Sequence, residues 1–152
     1  MRNNSASLLY DLLEDERNVS KLLLIKRESN DLNKLIKNIS SAAASGATQL
    51  EQLAEEDRTL DLRATSLPSG EVETRKAITG AKRHELLNAH GADLEFKLLL
   101  TQIEALNYGA SLAKVAAAHE RESAHQNTFT NLSNTLLHLR EEALALLRAS
   151  RE

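Results

Sequence analysis

The sequence predicts an all-α fold, and three observations carry that prediction. The 152 residues contain 29 leucines against two Phe, two Tyr and no Trp, so the core is aliphatic. There is one proline, Pro68, and apolar residues recur at helical spacing through nearly the whole chain. A compact domain of this size buries about 68–70% of the surface its unfolded chain exposes, enough for one sizeable core.

The first helix is expected over residues 5–28, with Ser5 as N-cap and Leu8, Leu9, Leu12, Leu13, Val19, Leu23 and Leu24 on one broad face. Glu16 lies at the centre of that apolar face. Ser29-Asn30-Asp31 supplies capping chemistry for a second helix, 31–57, although no Gly or Pro enforces a break and the sequence also admits one continuous helix. The stripe of the second helix (Leu32, Leu35, Ile36, Ile39, Ala43, Ala47, Leu50, Leu53) is small in its middle. Gly46 among alanines implies close helix approach or room for a neighbour's larger side chain.

Residues 58–70 form the linker, a long crossover with Pro68 and a Ser-Gly pair. A shorter helix with a weak apolar pattern follows over 71–89 and stops before Gly91. The helix over 92–118, about 40 Å long at 1.5 Å per residue, has the broadest apolar face, and into it point Glu95 and Gln102, seven residues apart. The last helix, 122–149, carries Phe129, Leu132, Leu136, Leu139 and Ala143 as its core stripe, with Arg140 inside it. The whole chain, 1–152, reads as a single domain.

Inward charges need partners, because a buried carboxylate is costly unless satisfied. If the last two helices turn near residue 120, Arg140 falls between the levels of Glu95 and Gln102, so an interior Glu95–Arg140 salt bridge with Gln102 alongside is expected. Glu16, Glu95 and the Glu-x-x-His pair Glu122 and His125 use the vocabulary of a dimetal carboxylate bundle, but the hairpin register sets them apart. The other histidines (His84, His90, His119, His138) make no HExxH motif and read as surface groups, as His125 does.

A net charge of −3 gives no general attraction to nucleic acid or an anionic membrane surface. The cluster Arg75, Lys76, Lys82 and Arg83 has no stacking aromatics beside it and reads as a solvated face. Without cysteine there is no disulfide or thiolate metal site. No stretch reaches the ~18 apolar residues of a membrane span. The first residues lack the pattern of a signal peptide, and a cytoplasmic location is expected.

The segments KLLLIKRESNDLNKL, LEQLA, the LP-containing crossover, GADLE and TLLHLREEAL together resemble the ferritin-like superfamily, nearest in pattern to uncharacterised outer-membrane or periplasmic ferritin-like domains. The resemblance implies a ferritin-like four-helix bundle with a long crossover and one extra short helix. Where such domains have an Asp-His pair this chain has Ala42 and Ala43. Ala105 and Glu142 stand where two further histidines belong, and only Glu95 matches an acidic position. The resemblance thus implies the fold with its metal site lost.

The expected function is that of a non-catalytic structural or protein-interaction module, without cofactor, acting through a protein partner or self-association. One alternative is an iron or manganese protein using Glu16, Glu95, Glu122 and His125. Another is an export chaperone resembling flagellar hook-filament chaperones, which requires residues 1–57 to form one extended helix.

Overall fold

The computed structural model describes residues 1–22, 29–63 and 66–150, and the described residues contain five α-helices and no strand. They are α1 (Arg2–Glu16), α2 (Asn30–Glu56), α3 (Ser69–Asn88), α4 (Gly91–Ala118) and α5 (Ser123–Ala149), with a short 3-10 turn at Val19–Lys21. None of the helices is long and apolar enough to cross a membrane.

The expected first helix is shorter at its far end and begins earlier. Met1, not Ser5, occupies the N-cap position; Ser5 lies inside the helix and is buried, its amide bonded to the Met1 carbonyl at 3.1 Å. The helix stops at Glu16 because side chains take the last carbonyls. The Asn18 amide donates to the Glu14 carbonyl at 3.0 Å, and the Ser40 hydroxyl of α2 donates to the Arg17 carbonyl. Residues 23–28, the rest of the expected first helix, lie outside the described residues.

Ser29 caps α2 as expected, its hydroxyl accepting the Leu32 amide at 3.4 Å. The break after Glu16 and the return of α2 alongside α1 rule out a single extended helix over 1–57. Further on, Gly91 sits at φ 58°, a conformation that favours glycine, and lets the chain turn from α3 into α4 within two residues.

Polar contacts between helix ends fix the directions. Arg2, at the start of α1, bonds Asp57 just past α2 and Glu120 just past α4. His125, at the start of α5, meets Glu56 at the end of α2. Ser29, before α2, donates its amide to Glu95 near the start of α4. Helices α2 and α4 are therefore parallel, and α1 and α5 run against them. Helix α1 packs on α2 and α4, and α5 packs on the same two.

Leu9, Leu13, Ile36, Ile39, Leu50, Leu98, Leu106, Phe129 and Leu136 fill the space between these four helices. A Cβ at Gly46 would lie 2.9 Å from Leu132 Cδ2 and 3.2 Å from Leu13 Cδ1, so the missing side chain makes room for leucines of two neighbouring helices.

Because α2 and α4 are parallel, the connection between them must travel back along the molecule, and α3 makes that journey. It lies antiparallel to α4 and contributes no buried residue. Its ties are polar. Arg75 stacks 5.4 Å from the Tyr108 ring centre and bonds the hydroxyl, Lys82 pairs with Glu104 at 2.6 Å, and Glu85 meets Lys97 at 3.5 Å.

Candidate functional site

Polar groups collect at two places. The first is at the far end of α1, where Glu16 points between α1 and α4 as its helical phase predicts. Its neighbour is Gln102 of α4, 2% exposed. Burial pushes the Glu16 carboxyl up to about 7. The polar Gln102 side chain and the charge of Lys82 on α3 act against that rise, and Asp15 adds to it. Glu16 Oε2 and Gln102 Oε1 are both shielded and lack hydrogen-bond partners.

The expected Glu95–Arg140 bridge does not form. Glu95 accepts the Ser29 amide at 2.9 Å, a carboxylate placed at the N-terminus of α2 where unpaired N–H groups favour negative charge. Arg140 turns to its sequence neighbour Glu141 at 2.9 Å, leaving Nε buried without a partner. The Ser133 hydroxyl on the Ala110 carbonyl at 2.9 Å sets α5 against α4 so that Arg140 lies level with Ile103, about two turns from Glu95, whose carboxylate meets the start of α2 instead. Gln102 belongs with Glu16, not with Glu95.

The second place is the opposite end of the molecule, where Glu122 and His125 lie. His125 is no surface group: it is 5% exposed, with Nε2 3.1 Å from Glu56 and Nδ1 3.4 Å from Glu122. Asp57 and Glu120 stand beside it, each presenting one oxygen to Nη1 of Arg2, at 2.8 Å and 3.1 Å. The Thr59 hydroxyl and backbone amide, with Arg2, hold Asp57 down to about 2 despite some burial. Burial opposes ionisation of Glu120, yet the Glu122 and Arg121 amides and Arg2 outweigh it, and its carboxyl lies below the usual range.

Arg2, Asp57 and Glu120 escaped the sequence reading because they sit at helix ends, where periodicity says nothing. Only the 118-residue separation of Arg2 and Glu120, closed by the fold, makes the cluster. Of the four metal candidates read from the sequence, Glu122 and His125 come together at this end. Glu16 sits with Gln102 and Glu95 with Ser29, so the four do not form one set. An open polar cleft lined by Arg2, Glu56, Asp57, Arg58, Thr59, His119, Glu120, Arg121 and Glu122 leads to the cluster. The chain matches no known protein-family model, no curated protein and no solved structure.

Proposed function

We propose that the chain is a non-catalytic, ferritin-like four-helix bundle of α1, α2, α4 and α5, with α3 as the extra helix of its crossover, and that it acts by binding protein. The helix directions support the ferritin-like reading, since two antiparallel pairs joined by one long crossover are that arrangement. The observation that carries the interaction role is an exposed apolar pair on α4. Phe96 and Leu100, near the start of that helix, stand 42% and 41% exposed. Spaced four residues apart, they lie side by side on the helix surface as one patch.

Protein binding through this pair predicts a specific defect. The Leu100→Glu change, at an exposed position, leaves the fold intact and abolishes association, whether that association is with a second copy, seen as concentration-dependent sedimentation, or with a different protein, seen by crosslinking from a photoreactive residue at position 96. Monomeric sedimentation at all concentrations, with crosslinks from position 96 no different from those at the polar control position Lys37, would remove the reading.

A further inference from the structure

We propose that Asp57, Glu120 and His125 form a binding site for a divalent transition-metal ion, with zinc the best match, and that the ion binds in exchange for the Arg2 guanidinium. One ligand-capable atom from each of the three residues lies within 4.8 Å of the other two, and they come from three parts of the fold: the end of α2, the α4–α5 turn and the first turn of α5.

Both carboxylates are already aimed. Glu120 Oε1 accepts the Arg121 and Glu122 amides at 2.8 Å and 3.2 Å, and Asp57 Oδ1 accepts the Thr59 amide and hydroxyl at 2.9 Å and 2.6 Å. Those bonds fix one oxygen of each group and leave Glu120 Oε2 and Asp57 Oδ2 to converge on a single cation, at present Nη1 of Arg2.

The third group adds a nitrogen ligand to the two oxygens. His125 is buried with a carboxylate at each ring nitrogen, Glu56 at Nε2 and Glu122 at Nδ1. When protonated, the ring donates to both carboxylates; when neutral, one nitrogen keeps a lone pair that can bind a metal. A metal on that nitrogen takes the proton's place, while a carboxylate on the N–H side orients the ring, as carboxylates do for metal-bound histidine. One nitrogen and two oxygens suit a borderline divalent ion, with the cleft supplying water as a fourth ligand. Arg58 and Arg121 line the same cleft and set the positive charge that an entering ion must pass.

The test uses the untagged full chain, stripped with chelator, with Zn²⁺ competed against a chromophoric chelator and Co²⁺ as a spectroscopic probe. The wild type takes up one equivalent. Arg2→Met binds at least about tenfold more tightly, since its competitor is gone, and His125→Gln at least about tenfold more weakly with loss of the Co²⁺ d–d bands. Asp57→Asn, at a partly exposed position, repeats the weakening if the buried His125 variant loses its helical circular dichroism. Less than one equivalent in both wild type and Arg2→Met, or affinity unchanged in His125→Gln and Asp57→Asn, overturns the proposal.

Discussion

Glu16 is a carboxylate that the fold would rather keep protonated. Its folded pKa of about 7 lies above the 4.5 of an unperturbed glutamate, so between these values the folded chain holds a proton that the unfolded chain has released. The stabilisation from that proton is complete below about pH 4.5 and is lost as pH rises through 7. The groups facing it, Asp15, Lys82 and Gln102, do not offset the burial. Replacing Glu16 with Gln keeps the shape and removes the charge. The variant should be more stable than wild type by roughly 1–3 kcal/mol at pH 8 and nearly equal at pH 5. Urea unfolding at pH 5, 6, 7 and 8 checks this, and a stability difference independent of pH would mean that Glu16 ionises freely. That Glu16 points inward was legible from the phase of its helix. Its partner was not, because the sequence fixes which side of α4 Gln102 occupies but not which helix packs there.

At the scale of elements, the chain contrasts four helices with apolar seams and one that sends only Leu86, half-buried, to the core. The weak apolar pattern of residues 71–89 already marked α3 as different, and its structure follows: a surface helix tied by exposed charge pairs, which are individually worth about 0–1 kcal/mol. Such a helix opens more readily than its neighbours. Native-state hydrogen exchange should therefore show the amides of 73–88 exchanging far faster than those of α2, α4 and α5, through local opening rather than global unfolding. Tyr108→Phe, which removes the hydroxyl that Arg75 bonds, should speed exchange in α3 and leave the global unfolding free energy within about 0.5 kcal/mol of wild type. Equal protection in α3 and α4 would show that α3 belongs to the cooperative core. The end of α1 was less legible than α3 because apolar Val19, Leu22 and Leu23 continue the pattern past Glu16. The local share of the stop is one Asn18 amide on the Glu14 carbonyl, and the rest comes from Ser40 of α2, a contact made only once the two helices face each other.

For the whole molecule, the helix directions depend on what happens at the ends, and the sequence revealed the lengths of the helices better than the clamps between them. Arg2 joins the starts and ends of three helices at once, with Glu120 nearly buried and Asp57 partly so. Helix periodicity could not find it, since a residue at the first turn of α1 carries no pattern until α2 and α4 bring their ends beside it. The physical consequence is a coupling between distant parts of the chain. Arg2→Met leaves the Glu120 carboxylate buried with only backbone donors and should cost on the order of 1–3 kcal/mol near neutral pH. Adding Glu120→Gln removes the stranded charge while keeping an acceptor for the Arg121 and Glu122 amides. The double variant should thus be more stable than the sum of the two single losses predicts. Because the Asp57 and Glu120 carboxyls titrate below their usual range, their contribution is present above the unfolded pKa values and disappears as pH falls through the folded ones. The cost of Arg2→Met should then shrink as the pH is lowered from 7 towards 3. Urea unfolding of the four proteins at both pH values tests the cycle. Strict additivity at pH 7 would show that Arg2 and Glu120 are neighbours without being coupled, and that the ends of α1, α2 and α4 are held in place by the leucine core alone.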